Sequence, residues 1–372
     1  MHFSALQMSY FRNYLAQRLE FSPGINCLTG NNGAGKTNVL EAIHYLALTR
    51  GWSRNTEKYT LQERAPYFMV EGLLQTDDDA SERIQCSYMP PKGKKMLVNK
   101  KPLARLSSHI GKIPLITVLP NDTQLIYGAP ALRRKFMDSF ISQYSPAYLQ
   151  QLIRYDHALS QRNALIALLN EQGRRDPEQL ELWDAQLVPA GRAIWQARHG
   201  FLTEFARIFL RYFHLIVSDK EQPEITLKSH LQENTAEEWQ ERLLQNRERD
   251  YHAQRTTQGI HKDDLVFTID GQAVKNFGSQ GQQKTFAIAL KLAQYEILAA
   301  RKGTAPILLL DDIFDKLDIY RLKAIAGILD DLVSGQVFVT DTTLERTQSV
   351  FAHVKQRTVR YFRVEDGTVG QV

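Results

Sequence analysis

Residues 30–37 have the types and spacing of a phosphate-binding loop. They read Gly-Asn-Asn-Gly-Ala-Gly-Lys-Thr and match the pattern Gly-x-x-x-x-Gly-Lys-Thr. Glycines let the backbone curl so that successive N–H groups, and the positive end of the following helix, point at a phosphate. The Lys36 side chain would reach the outer phosphate oxygens, and the Thr37 hydroxyl would bind Mg²⁺. The segment predicts a nucleotide site made of Gly30, Asn31, Asn32, Gly33, Ala34, Gly35, Lys36 and Thr37.

Two adjacent carboxylates follow an apolar run much later in the chain. Residues 307–310 read Ile-Leu-Leu-Leu and precede Asp311 and Asp312. A buried strand that ends in carboxylates would supply the second half of the nucleotide site. Asp311 would orient Mg²⁺ together with Thr37, and Asp312 would act as the general base for the attacking water. A helix N-cap is the alternative role for such a pair.

A third segment, at residues 278–284, reads Gly-Ser-Gln-Gly-Gln-Gln-Lys and opens a long helical pattern. The Ser279 hydroxyl and the Gly281 N–H, with Gln282 beside them, would form a second phosphate-binding helix end. One triphosphate cannot easily use two such ends on one small domain. We therefore expect Ser279 to act on the nucleotide held by Lys36 of a facing subunit, with residues 315–318 as an interface loop.

Strand and helix patterns at both ends of the chain surround these segments. A strand over residues 24–28 and a helix over residues 38–48 flank the phosphate loop. Alternating apolar residues predict an antiparallel meander at residues 69–74, 84–89 and 96–99. After residue 251 the pattern predicts a strand at 265–269, helices at 282–301 and 320–333, and strands at 307–310 and 337–340.

The middle of the chain has a helical pattern instead. Apolar residues recur every seven positions from Leu152 to Ile208, with a break at residues 173–177, and Pro189 is expected to kink the second helix near Ala185. The simplest organisation is an α/β domain made of residues 1–119 and 251–372. Residues 120–250 would be inserted as a mainly helical lobe with a short antiparallel coiled stub.

Composition and charge exclude several classes of protein. Of 372 residues 43% are hydrophobic and only two are Cys, which argues against disorder, a disulfide framework and paired Cys zinc sites. No apolar run is long enough to span a membrane, and the expected location is the reducing cytoplasm. The net charge of +5 favours a polyanionic partner such as DNA. Residues 90–121 hold no acidic residue but seven basic ones, which could equally be a solvated rim: Lys92, Lys94, Lys95, Lys100, Lys101, Arg105 and Lys112.

With the phosphate loop, the Ser-x-Gly-Gln turn and the strand-Asp-Asp segment in this order, the chain resembles ABC-type ATPase heads of the SMC-like kind. It is similar in more detail to the RecF family of bacterial DNA replication and repair proteins. The similar segments run through the whole chain, at residues 11–14, 30–43, 132–138, 161–163, 279–283 and 308–312. The resemblance implies an α/β head with a mixed sheet and helices, and an inserted helical lobe.

The same resemblance implies a cytoplasmic protein that binds ATP with Mg²⁺, hydrolyses it weakly and forms a homodimer with it. Such a protein binds double-stranded DNA and single-strand/double-strand junctions, and works with RecO and RecR to load RecA. In the Phe-Arg-Asn-Tyr segment, Arg12 and Asn13 would contact the nucleotide. Further basic residues could touch DNA or simply form solvated faces: Arg50, Arg54, Arg133, Arg134 and Lys135.

Two segments depart from the family pattern. Residues 259–264 read Gly-Ile-His-Lys-Asp-Asp instead of Gly-Pro-His-Arg-Asp-Asp, and His261 there is interpreted as structural. Residues 120–123 read Pro-Asn-Asp-Thr instead of Pro-Glu-Asp-Leu, which leaves Asn121, Asp122 and Gln124 as candidates for sensing metal and water.

Other functions share part of these motifs. A transporter's ATP-binding subunit should carry a His after the strand at 337–339, where this chain has Thr340-Asp341-Thr342. A structural SMC-like ATPase would need a far longer coiled coil. A P-loop kinase would lack the Ser279 turn.

Overall fold

The computed structural model describes residues 1–52, 57–217, 221–231, 235–315 and 317–372. Two residues from the segments named above lie outside the described residues: Arg54, a candidate basic contact, and Lys316, part of the predicted interface loop. The chain divides into two units. The first consists of Met1–Asp122, Arg211–Asp219 and Lys284–Val372, and the second of Thr123–Leu210 and Lys220–Gln283.

The strands follow the alternating and fully apolar patterns of the two ends of the chain. In chain order they are β1 His2–Phe11, β2 Tyr14–Glu20, β3 Ile25–Thr29, β4 Phe68–Gln75, β5 Ser81–Met89, β6 Gly93–Val98, β7 Lys101–Pro102, β8 Leu115–Val118, β9 Pro223–Lys228, β10 Asp264–Ile269, β11 Gln272–Ala273, β12 Ile307–Leu310, β13 Val337–Asp341, β14 Val359–Glu365 and β15 Thr368–Gln371.

The helices occupy the middle of the chain and the connections between strands. They are α1 Lys36–Leu48, α2 Glu57–Thr60, α3 Gln124–Tyr127, α4 Pro130–Tyr144, α5 Pro146–Glu171, α6 Pro177–Ile216, α7 Ala236–Gln245, α8 Arg247–Ala253, α9 Val274–Phe277, α10 Gln280–Lys302, α11 Ile319–Asp331 and α12 Leu344–Phe351, with 3-10 turns at Leu106–His109, Pro120–Thr123 and Ile260–Lys262.

Two six-stranded sheets form the first unit. One is antiparallel with the order β2-β1-β4-β5-β6-β7, which confirms the predicted meander. The other is mixed, with the order β15-β14-β3-β13-β12-β8. The five strands from β14 to β8 run parallel to one another, and β15 is antiparallel to β14. Buried residues of α1 and of both sheets form one apolar cluster, including Leu46, Phe3 and Phe338. The predicted α/β class with a mixed sheet is therefore confirmed.

The parallel strands β3, β13 and β12 lie side by side and determine where the chemistry can occur. Residue Leu310 of β12 pairs with Val339 of β13, and Asp341 of β13 pairs with Thr29 of β3. Because parallel strands end at the same edge of a sheet, the residues that follow β3 and β12 meet the last residues of β13.

The second unit contains helices α3 to α5 and α7 to α9, most of α6, and a three-stranded sheet with the order β11-β10-β9. The break between α5 and α6 lies where residues 173–177 predict it. Pro189 lies inside α6, which continues without interruption to Ile216. The unit extends beyond residue 250, the end of the predicted lobe, because β10 pairs along its length with β9. Among the described residues, no helix combines the length and apolar character needed to cross a membrane.

Candidate functional site

The phosphate loop connects the end of β3 to the start of α1, and its glycines adopt backbone conformations that other residues rarely reach. The φ angles of Gly30, Gly33 and Gly35 are 152°, 84° and 116°. A Cβ on Gly30 would lie 2.1 Å from the Val364 carbonyl oxygen, and one on Gly35 would lie 2.6 Å from Nδ2 of Asn13. The tight curl therefore requires glycine at both positions.

Residues of the turn between β1 and β2 hold this loop from behind. The Nδ2 of Asn13 donates to the Ala34 carbonyl at 2.9 Å, and the Tyr14 hydroxyl donates to the Gly35 carbonyl at 3.1 Å. The Oδ1 of Asn13 accepts from Nδ2 of Asn38 at 2.8 Å. Asn13 thus bonds to the loop and to α1, and its contact with a nucleotide stays a prediction.

The Lys36 ammonium group bends back over the loop. Its Nζ donates to the carbonyl oxygens of Gly30 at 2.6 Å and Asn31 at 2.8 Å. Burial lowers the pKa of Lys36, while the carboxylates of Asp312 and Asp311 oppose that shift. The Lys36 ammonium group therefore lies at the mouth of the loop, beside the exposed Asn31, Asn32 and Gly33.

The fold brings Thr37 together with Asp311, 274 residues later in the chain. The Thr37 hydroxyl donates to the two Asp311 carboxylate oxygens at 2.9 and 3.1 Å. Asp311 is only 4% exposed, and burial raises its pKa, against hydrogen bonds from Thr340 and Thr37 that lower it. A hydroxyl and a carboxylate beside a phosphate loop are the oxygen ligands that Mg²⁺ prefers, so the residues present fit this cation.

Thr340, at the end of β13, links both acidic residues. Its hydroxyl donates to Oδ1 of Asp311 at 2.7 Å and accepts from the backbone N–H of Asp312 at 2.9 Å. Asp312 has a left-handed backbone with φ of 47°. In the sequence, Thr340 stands out only as a residue near the position of a transporter's His. A polar residue at the end of a buried parallel strand was the signal that could have identified it.

Arg346 adds a positive charge at the same edge. Its Nε donates to Oδ2 of the fully buried Asp341 at 2.7 Å. The hydrogen bond to Asp341 raises the pKa of Arg346, and the carboxylates of Asp312 and Asp315 raise it further. Sequence reasoning did not single out Arg346.

Arg12 is paired with Glu41 of α1, a residue that sequence reasoning did not place in the site. Its Nε and NH2 atoms each lie 3.0 Å from an oxygen of Glu41, and NH1 donates to the Tyr59 carbonyl at 3.0 Å. Glu41 is 2% exposed, and burial raises its pKa while Arg12 works against that shift. The guanidinium therefore compensates a buried carboxylate, and its nucleotide contact stays a prediction.

In the second unit, Ser279 forms a reciprocal cap at the start of α10. The Gln282 N–H donates to the Ser279 hydroxyl at 3.2 Å, and the Ser279 N–H donates to Oε1 of Gln282 at 2.8 Å. This is the capping box expected for Ser-x-x-Gln, and Gly281 lies inside the first turn. Ser279 is exposed, as is Phe277 two residues earlier, at 71%. The local structure is an exposed helix N-terminus.

Several other candidate residues have partners within their own unit. Asp122 accepts from the Leu119 N–H at 2.7 Å and lies 3.4 Å from Nζ of Lys291, whereas Asn121 and Gln124 are exposed. In the predicted interface loop, Asp318 caps α11. Arg133 is buried and bonds to both oxygens of Asp264, which leaves it little surface for DNA.

Residues 259–264 are also held by contacts inside their own unit. Nδ1 of His261 lies 2.7 Å from the Tyr155 hydroxyl, and Nε2 lies 3.0 Å from the Thr256 carbonyl. Burial lowers the pKa of His261 to about 4. Asp263 accepts from the buried Arg198 at 2.9 Å.

Strands β6 and β7, which belong to the acid-free basic segment, form one edge of the antiparallel sheet, and we call this the basic edge. Lys94 is the exception, because it pairs with Glu57. The others are exposed: Lys92, Lys95, Lys100, Lys101, Arg105 and Lys112.

Comparison with known proteins finds relatives that match this chain over nearly its whole length. Residues 5–127 match the family described as AAA domain. A DNA replication and repair protein RecF of Phocaeicola vulgatus is 38% identical, over 96% of this chain and 95% of its own length. The corresponding protein of Flavobacterium johnsoniae is 39% identical, over 96% of this chain and 98% of its own.

Solved structures agree with these relatives. The recombination mediator protein RecF with ATP, of the RecFOR pathway, matches with a TM-score of 0.88 and 29% identity, over 100% of this chain and 97% of that one. An Smc head bound to the C-terminal winged-helix domain of ScpA matches with a TM-score of 0.59 and 16% identity, over 100% of this chain and 97% of that one, and so shares the fold. The expected SMC-like ATPase-head fold is confirmed.

Proposed function

The chain belongs to the RecF family of DNA replication and repair proteins, and we propose that it is an ATP-dependent DNA-binding protein of recombinational repair. The cluster of Lys36, Thr37 and Asp311 carries this proposal, because it supplies phosphate and cation ligands at one edge of a sheet. Family membership favours this function over a transporter subunit or a purely structural SMC-like ATPase.

Residues of the first unit would bind ATP and Mg²⁺. The N–H groups of residues 30–37 and the Lys36 ammonium would hold the phosphates, and Thr37 and Asp311 would hold the cation. Bound Mg²⁺ would neutralise phosphate charge. Asp312 would accept the proton of the attacking water. Its carboxylate is one methylene shorter than the Glu of many related ATPases, so we expect slow hydrolysis.

ATP would join two copies of the chain. The start of α10, with Ser279, Gly281 and Gln282, would face the nucleotide that Lys36 of the second copy binds. Support comes from exposed aromatic side chains close to the proposed contacts in each unit. Phe277 is 71% exposed just before Ser279, and Tyr320 is 81% exposed just after the loop of residues 315–318. Aromatic residues are enriched in the buried cores of protein interfaces.

The protein would act in the cytoplasm. Its nucleic acid partners would be double-stranded DNA, gaps and single-strand/double-strand junctions. The net charge of +5 and the basic edge at β6 and β7 support binding to phosphates. A solved relative is described as a recombination mediator of the RecFOR pathway, and we extend to this chain joint action with RecO and RecR in loading RecA.

A mixing experiment tests the shared site. Lys36→Met and Ser279→Arg should each abolish ATP-dependent dimerisation and turnover. Since neither variant pairs with itself and one of the two sites of each mixed dimer is intact, an equal mixture should recover activity at up to about half of the sites. Light scattering and phosphate release measure the two effects. Ser160→Arg, at an exposed serine of α5, controls for the added charge. A Ser279→Arg protein that dimerises normally with ATP would refute the proposal.

Salt titration tests the DNA surface. Neutralising exposed lysines of the basic edge should reduce the slope of log affinity against log salt by about 0.9 for each DNA phosphate that the replaced lysines had neutralised. The variant changes Lys95, Lys100 and Lys101 to Gln, and its control changes the exposed lysines Lys58, Lys323 and Lys355. Equal slopes for the two variants would assign DNA binding to another surface.

A further inference from the structure

A groove in the second unit lies between one face of α6 and strand β9. Its volume is about 780 Å³, within the range of sites that accept ligands. Helix α6 contributes Trp195, His199 and Leu202 to one wall, and the other wall is formed by residues 225–229 and by Val266 of β10. Neither the phosphate loop nor the Ser279 turn uses any of these residues.

The groove follows the open edge of a sheet. Strand β9 pairs with β10 on one side, and among the described residues no strand pairs with its other side. Successive residues of a strand point to opposite faces, so a groove lined by the successive residues 225–229 reaches the open edge of β9. Val266 of β10 also lines the groove, which therefore continues over one face of the sheet. Such an edge presents unpaired backbone N–H and C=O groups and can accept an added strand.

The side chains around this edge indicate what kind of chain would fit. Trp195 and Leu202 are half-buried and give the groove an apolar wall, and the Trp195 and His199 rings lie 5.3 Å apart. Lys228 is exposed at the end of the strand, and no carboxylate lines the groove among the described residues. Charge complementarity therefore favours an acidic segment with apolar side chains at alternate positions.

We propose that the open edge of β9, together with Trp195 and Lys228, is a docking site for an extended acidic segment of a partner protein, which pairs with β9 as a fourth strand. Backbone hydrogen bonds would supply general affinity. Alternate side chains, packed against Trp195 and Leu202 or facing Lys228, would supply the specificity.

A designed peptide serves as the probe for this site. It is a short fluorescent peptide that alternates Val or Ile with Asp or Glu, and fluorescence polarisation measures its binding to the full chain. Binding should slow hydrogen exchange of the β9 amides. A peptide with Lys in place of each acid should bind at least roughly tenfold more weakly, because it faces Lys228 with like charge.

Variants separate this groove from other surfaces. Trp195→Ala and Lys228→Glu should each weaken binding of the acidic peptide by roughly tenfold or more. Lys323→Glu makes the same charge change as Lys228→Glu at an exposed lysine of the first unit, outside the groove, and should leave binding unchanged. Lys228 is exposed, so Lys228→Glu remains informative even if Trp195→Ala loses stability.

Four results would overturn the proposal. They are no binding of the acidic peptide, equal binding of the Lys peptide, unchanged affinity in Lys228→Glu, and protection of amides outside β9. A single-stranded oligonucleotide whose affinity depends on Trp195 and Lys228 would assign the groove to nucleic acid instead.

Discussion

Replacing Thr340 by Val tests whether one buried hydroxyl positions both acidic residues of the site. Val has nearly the same shape but neither donates nor accepts a hydrogen bond. The change removes the 2.7 Å bond to Oδ1 of Asp311 and leaves the Asp312 N–H without its 2.9 Å acceptor. Thr340 is fully buried, so water cannot easily replace the missing hydroxyl.

The size of the effect follows from these two bonds. A hydrogen bond to a charged group contributes about 1.5–3 kcal/mol, so we expect the free energy of unfolding to fall by about 2 kcal/mol at neutral pH. The bond from Thr340 favours the ionised form of Asp311, so its removal should raise the pKa of that residue further. Since protonated Asp311 has no charge to stabilise, the destabilisation should shrink as the pH falls through this pKa.

Metal use should respond separately from stability. Removal of a group that orients a ligand typically costs about tenfold to a hundredfold in metal affinity, so the Mg²⁺ concentration for half-maximal ATP turnover should rise by at least roughly tenfold. Urea unfolding at several pH values and Mg²⁺ titration of turnover measure the two effects. Thr340→Ser keeps the hydroxyl and is the control. Unchanged Mg²⁺ dependence in Thr340→Val would refute the positioning role.

Further variants test other residues of the site and of the second unit. Asp312→Asn should bind ATP and keep the dimer longer while turnover falls by about 10² or more, and parental turnover would place the general base elsewhere. Arg12→Ala leaves Glu41 buried without its cation, so urea unfolding should show a destabilisation of about 3 kcal/mol. Adding Glu41→Gln to this variant should recover most of the lost stability. An Arg12→Ala protein as stable as the parent would contradict the ion pair. The pKa of His261 is about 4 when folded and 6.5 ordinarily, so the unfolded chain binds the proton first as the pH falls. Stability should drop by up to about 3 kcal/mol between pH 6.5 and 4, and a His261→Gln variant with the same profile would contradict this.

The parts of the site that could be predicted are those that local sequence specifies. Four apolar residues before Asp311 indicate a buried strand, and the glycines before Lys36 indicate the loop, whatever the rest of the chain does. The sequence marks Thr340 as a polar residue at a strand end but does not show which residues it contacts, because these depend on β13 lying between β3 and β12. The pair of Arg12 and Glu41 likewise depends on how the β1–β2 turn meets α1.

The same distinction holds for the fold. The fully apolar β12 has the bounds that its sequence predicts, whereas the edge strand β9 is not predicted, although Ile225 and Leu227 alternate with polar residues. A short alternating run specifies a strand only when a partner is available, and β10 lies some forty residues further along the chain.

Within the nucleotide site, the protein's own groups make the bonds that a ligand would replace. Lys36 donates to two loop carbonyls, and Thr37 donates to Asp311. Burial lowers the pKa of Lys36 and raises that of Asp311, so each charge is held at a cost. Phosphate oxygens would favour the charged form of Lys36, and a divalent cation would favour ionised Asp311. Each ligand would thus relieve the cost for one residue. Because a divalent cation held by Thr37 and Asp311 would also offset phosphate charge, ATP and Mg²⁺ should bind more tightly together than separately.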